Sequence, residues 1–155
     1  MRRFLLPAVT LAVVIADQLS KYAVRQSLAP SSSIPVIPGV LNLTHVLNPG
    51  AAFGLLPGGR TLFFAASGAV IAFIIVYYLR VRPSSPILLT ALGLELGGAI
   101  GNLIDRSTAG VVTDFIDFRI YPVFNLADSA IVVGLMLLAF VVLRVEWRSR
   151  LGDVP

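Results

Sequence analysis

There is no cysteine among the 155 residues. That absence excludes a disulfide framework, a thiol nucleophile and a thiolate metal site, and it leaves no cysteine on which the chain could itself be lipidated. Histidine is nearly as scarce, with His45 standing alone. An H-E-x-x-H zinc protease needs a pair of histidines with a glutamate, and a serine hydrolase built on Ser67 would have to recruit His45 as its base. His45 is therefore expected to be a satisfied loop residue and Ser67 a packing residue. Charge is sparse too: 13% of residues, where soluble domains carry roughly a quarter. Twelve Lys and Arg against eight acids leave a net +4, but the basic residues are scattered at the ends of apolar runs. Without a basic stripe interleaved with aromatics, a nucleic-acid partner is excluded.

What is present is apolar. Hydrophobic residues make up 57% of the chain and the mean hydropathy is +0.89. A membrane span takes about 20 such residues, so four spans and their connections use nearly the whole chain. The expected fold is an all-α membrane protein forming a single domain over residues 1–155, with spans at 4–24, 61–79, 86–104 and 123–143. The basic start and apolar core of residues 2–16 fit a cleavable signal peptide, but weakly polar and apolar residues continue past Asp17, and an uncleaved first span is the expectation. Residues 28–60, rich in Pro, Gly and Ser with short alternating runs, predict a small β-rich segment outside the bilayer between the first two spans. Arg2, Arg3, Arg80, Arg82, Arg144, Arg148 and Arg150 then fall on one side, which by the positive-inside rule puts both termini in the cytoplasm.

That topology gathers the polar residues on the outer side. Asp17 and Lys21 lie at i, i+4 on one helical face, where an interfacial ion pair with a snorkelling Lys21 is the plain expectation. Asn102 and Arg106 are i, i+4 on the third span. Counted from Val123, Asp128 sits about five residues, or roughly 7 Å, inside the fourth span and shares a face with Asn125. Glycines 93, 97 and 101 are spaced for close helix packing in lipid. Carboxylates at membrane depth are costly and usually functional, so Asp114 and Asp128, flanking a short loop, are the first candidates for chemistry; Asp105 and Asp117 are expected to be structural or interfacial. Two carboxylates within reach of each other share a proton, and such a pair can activate water against a carbonyl and then protonate the leaving group.

Five blocks carry a more specific signal: DQLSK (17–21), NPGAAFG (48–54), GGAIGNLIDR (97–106), VTDFIDF (112–118) and FNLADS (124–129). In this order and spacing they closely resemble the lipoprotein signal peptidases, the type II signal peptidases of bacteria. The resemblance implies a four-span aspartyl endopeptidase of the bacterial inner membrane, with its active site near the outer face, that cuts diacylglyceryl-modified prolipoproteins just before the lipidated cysteine. It assigns Asp114 and Asp128 as the catalytic pair and Asn48, Gly50, Asn102, Arg106 and Asn125 to the substrate pocket. Asp17, Lys21, Gly98 and Ala127 become supporting residues. No cofactor or metal is implied; membrane lipids and lipidated precursors are the partners, and a monomer is expected. Glu95 departs from the pattern, an acid in mid-span where an apolar residue is expected. A small proton-coupled transporter would place its polar groups near mid-membrane, which only Glu95 fits, and a non-enzymatic binder of lipidated peptides would share the pocket without needing both aspartates.

Overall fold

The computed structural model describes residues 4–50 and 59–152. The elements run α1 (Leu5–Ser27), β1 (Ser33–Ile37), β2 (Leu41–Asn48), α2 (Gly59–Val81), α3 (Pro86–Thr108), β3 (Val112–Asp117) and α4 (Leu126–Gly152). All four helices contain a stretch long and apolar enough to cross a membrane. The expected outer segment is described up to Gly50; residues 51–58, which hold part of the NPGAAFG block, lie outside the described residues, as do Arg2 and Arg3.

The third helix is the axis of the bundle. In α3, 56% of the apolar stretch is buried, against 17% or less in the other helices, and α3 packs on α1, α2 and α4 alike. Its start is written locally: Ser85 accepts a hydrogen bond from the Leu88 amide at 3.4 Å and Pro86 takes the first helical position, where its missing N–H costs nothing. Glycine lets the neighbours come close. A Cβ at Gly93 would meet Val9 at 2.9 Å, and one at Gly97 would meet Val13 at 2.7 Å, both on α1. One at Gly98 would overlap the Ala127 carbonyl oxygen of α4. Gly98→Val is accordingly expected to lower stability by about 1–3 kcal/mol through overpacking, read as a fall in the thermal midpoint of the purified protein in detergent.

Apolar packing closes both ends of the bundle. Leu6, Ile74, Leu89, Leu92 and Leu96 form one buried cluster, and Val24, Leu28 and Phe115 form another where the helices meet the sheet. Outward-facing Phe73, Leu79, Met136 and Phe140 stay exposed, as suits side chains whose solvent is lipid.

The sheet is antiparallel with the order β1-β2-β3. Two of its strands lie between α1 and α2 as expected, but the third comes from the α3–α4 connection, so the β-rich unit extends beyond residues 28–60. Asn48 pairs with Val112 and Val46 with Asp114. The fourth helix also differs from expectation. It starts at Leu126 rather than 123, because Phe124 is still engaged with the sheet, accepting from the Phe115 and Ile116 amides at 2.9 and 2.7 Å. It also runs on through the basic tail to Gly152.

Candidate active site

The buried charges come first, since they fix everything above them. Lys21 is fully buried, its Nζ 2.8 Å from Asp17 Oδ2 and 3.2 Å from Asp105 Oδ2. The expected snorkelling is therefore corrected: α1 presents Lys21 to α3, and the ammonium finds two carboxylates inside the protein, which satisfies it better than a reach to the interface. Each carboxylate then anchors another element. Asp17 Oδ1 accepts from the Ala127 amide at 3.0 Å, holding the start of α4, while Asp105 Oδ2 accepts from the Thr113 amide at 3.1 Å, holding the start of β3. Gly101 leaves the space that Asp17 occupies. Asp17, Lys21, Gly98 and Ala127 are thus brought together, and Asp105 joins them as structural, as expected.

The third proton of Lys21 orients an asparagine. Its Nζ donates to Asn102 Oδ1 at 3.0 Å, and because an ammonium can only donate, the amide must turn its NH2 the other way. That NH2 donates to Asp128 Oδ1 at 2.7 Å. Asn125 repeats the logic. Its Oδ1 accepts from the Asp128 amide at 2.9 Å while Asp128 Oδ2 accepts from the Asn125 amide at 3.2 Å, the reciprocal pattern of a capping box. Asn125 is therefore the cap of α4 rather than a residue on its face, and Asp128 lies in the first turn rather than about five residues deep. With its oxygen committed, Asn125 donates from Nδ2 to Asp114 Oδ1 at 2.6 Å and to Asn102 Oδ1 at 3.2 Å.

Asp114 is held from its other side by the β1–β2 hairpin. Asn48 Nδ2 donates to Asp114 Oδ2 at 2.8 Å, and Asn48 Oδ1 accepts from the Gly50 amide at 2.9 Å, a turn that fixes the asparagine's orientation. Gly50 makes the turn possible, with φ at +94° and a Phe63 ring edge 2.9 Å from where a Cβ would stand. Asp114 and Asp128 both open onto one cavity of about 630 Å³, lined also by Asn48, Tyr121, Phe124 and Val132. Asp128 borders a second cavity of about 350 Å³ together with Asn102, Arg106, Ser67 and Glu95. Arg106 donates to Ser67 Oγ at 3.4 Å and lies 5.6 Å from the centroid of the Phe63 ring.

Burial pushes the Asp114 carboxyl up to about 6, Asn48 opposes the rise, and the Asp128 charge adds to it. A carboxyl whose folded value is raised favours the folded state below its ordinary value of 3.8, and that contribution is lost as pH rises through about 6. Asp114→Asn removes the titration. The stability of this variant relative to the wild type should therefore increase between pH 4 and pH 7, by at most about 3 kcal/mol, measured as the difference in thermal midpoint across that range. A difference that stays flat with pH contradicts the raised value.

A profile described as signal peptidase (SPase) II matches residues 9–144. The chain belongs to the signal peptidase II family. It is 51% identical over 131 residues to a lipoprotein signal peptidase of Pelotomaculum thermopropionicum, covering 84% of this chain and 86% of the relative. Against the lipoprotein signal peptidase of Halothermothrix orenii the figures are 48% over 145 residues, 94% and 97%. A bacterial membrane enzyme solved by the in meso method at 1.9 Å superposes with a TM-score of 0.82 at 34% identity, covering 89% of this chain and 92% of that one. This signal peptidase II is thus a protease, a hydrolase of lipoprotein processing carried on membrane helices.

Parts of this candidate site are not announced by the sequence. The Lys21–Asp105 pair bridges helices far apart in the chain, and no local spacing announces it. His45 is more deeply engaged than a loop residue: it lies on β2, buried, with Nδ1 2.8 Å from the Leu28 carbonyl and Nε2 unpartnered. Asp117 sits at the rim, accepting from Thr44 Oγ1 at 2.8 Å and from the Arg119 amide at 2.8 Å. Among the described residues no group of His, Cys, Asp and Glu side chains is arranged to hold a metal ion.

Proposed function

We propose that this signal peptidase II removes the signal peptide from diacylglyceryl-modified prolipoproteins, cutting before the lipidated cysteine, with Asp114 and Asp128 as an aspartyl pair. The observation that carries the reading is that both carboxylates open onto one cavity while asparagines hold their other oxygen contacts in place. Water enters between them. One ionised carboxylate takes a proton from water as its oxygen attacks the scissile carbonyl carbon. The other, protonated, donates to the carbonyl oxygen. Collapse of the tetrahedral adduct breaks the C–N bond, and the amine of the cysteine leaves with a proton from the pair. Each carboxylate can serve in either role over the cycle, so neither is assigned permanently as acid or base.

The remaining site residues position substrate. Asn48 and Gly50 close over the peptide backbone from the outer hairpin, while Asn102, Arg106 and Asn125 supply donors and orientation around the scissile amide; such positioning lowers a barrier by several kcal/mol. The acyl chains of the substrate remain in the bilayer. In this arrangement the whole chain acts as one domain with both termini cytoplasmic, the sheet and the aspartates lie at the outer face of the bacterial inner membrane, and a monomer suffices with no cofactor. The test is incubation of purified protein with a diacylglyceryl-modified precursor peptide, followed by mass analysis. The expected product begins at the modified cysteine, and the unmodified precursor should be cut at least about tenfold less efficiently, a difference of about 1.4 kcal/mol. Equal cutting of the two precursors, or no product from the lipidated one, overturns the reading.

A further inference from the structure

Glu95 has no part in the mechanism above, and its surroundings do not account for it. It lies in the middle of α3, only 8% exposed, and its buried Oε1 has no hydrogen-bond partner. An unpaired carboxyl in such a place costs several kcal/mol, so a partner that arrives with substrate gains from pairing with it. The stem is held by packing: Gly134 of α4 leaves the space its Cγ fills, since a Cβ there would stand 2.7 Å away. The residue lines the cavity of about 350 Å³ that also reaches Asn102 and Asp128, and the rest of that cavity is largely apolar, with Phe63, Val70 and Leu135 among its walls. A mainly apolar groove with one buried hydrogen-bonding group at one end and the candidate chemistry at the other has the layout of a helix-binding groove that reads one polar side chain.

We propose that Glu95 is a specificity-determining residue that hydrogen-bonds a hydroxyl or amide side chain in the membrane-spanning signal helix of the precursor. The occupant is the precursor because the groove is continuous with Asp128, so this inference rests on the function proposed above. Geometry gives the register. Glu95 precedes Asn102 by seven positions, about 10 Å along α3 at 1.5 Å per residue. Seven residues are close to two full turns, so a substrate helix lying parallel to α3, with its scissile bond beside Asn102, presents to Glu95 a side chain about seven positions before the cut. Hydrogen bonds between helices in lipid are individually modest. The expected effect is a selectivity, not an on–off switch.

The experiment uses diacylglyceryl-modified precursors with an otherwise all-leucine membrane helix, carrying asparagine singly at five to nine positions before the cleavage site. For the wild type, kcat/KM should be about fivefold higher with asparagine six to eight positions before the cut than for the all-leucine precursor. In Glu95→Leu that ratio should fall below about two, while Glu95→Gln, which can still pair, should keep most of it. Since each ratio compares two substrates on one preparation, a variant that folds less completely still reports it. No advantage at any position, an advantage only at five or nine, or the same advantage in Glu95→Leu overturns the proposal. Cleavage of the all-leucine precursor by the wild type and its loss in Asp114→Asn test the aspartyl reading separately, whatever the ratios show.

Discussion

Asp114→Asn and Asp128→Asn are each expected to reduce cleavage of lipidated precursor by about 10²–10⁴-fold, the range that a positioned acid or base contributes. An amide can neither share the proton nor accept one from water. The surrounding hydrogen bonds explain why the loss should be chemical. Asp114 is held by Asn48 and Asn125, and Asp128 by Asn102 and the backbone of Asn125, so an asparagine of the same shape keeps one of the two accepted bonds at each site and loses the other. Binding of the lipidated precursor should survive in both variants. The double variant should be no slower than the singles, because groups acting as one unit lose their whole effect with the first removal. Retention of more than a tenth of wild-type turnover by either purified single variant would remove that residue from the pair.

Lys21→Met is expected to be the most destabilising single change among the site residues. It leaves Asp17 and Asp105 facing each other with the ammonium that sits 2.8 and 3.2 Å from them gone. Arg25, at 3.6 Å from Asp105 and partly exposed, remains as a weaker counter-charge. Removing one partner of a buried pair costs about 3–5 kcal/mol. The damage should spread to activity, since Asn102 loses the donor that sets its orientation toward Asp128. Thermal unfolding in detergent reads the first effect, and precursor cleavage by the folded fraction reads the second. Adding Asp105→Asn to Lys21→Met should recover part of the stability, because one uncompensated charge is removed, and the coupling between the two changes measures their interaction. A fall of less than about 1 kcal/mol for Lys21→Met would mean that the network is not what holds α1, α3 and α4 in register.

What could be read from the sequence was what depends on composition and on near neighbours. The four apolar helices follow from runs of hydrophobic residues, and a close helix contact along α3 follows from glycines one turn apart, but not its partner: the spacing points to the fourth span, whereas Gly93 and Gly97 face α1. Asp17 and Lys21 are correctly neighbours because i, i+4 geometry makes them so. The reading failed where a residue's partner lies on another element. Local spacing sends Lys21 to the interface because Asn102, 81 positions away, and Asp105 are invisible to it. The run V-T-D-F-I-D has no apolar/polar alternation to announce a strand; it acquires its structure from a partner, and here the partner is the edge of β2. Asn125 and Asp128 were placed on one helical face by their spacing of three, which is equally the spacing of a capping box; the bonds to Phe124 that delay the start of α4 decide between the two.

The sheet draws its strands from both ends of the chain, and this bears on how the enzyme is made. Synthesis proceeds from the N-terminus, and the early helices and the β1–β2 hairpin are complete long before β3 exists. Until then Asn48 has no Asp114 to meet, 66 positions later, and the free edge of β2 has no partner. Lys21 likewise waits for α3. A chain interrupted just before α4 therefore contains three of the four helices and lacks Asn102's partner Asp128. The bonds from Asn48 to Asp114 and from Asn102 to Asp128 form only after β3 and α4 have been made.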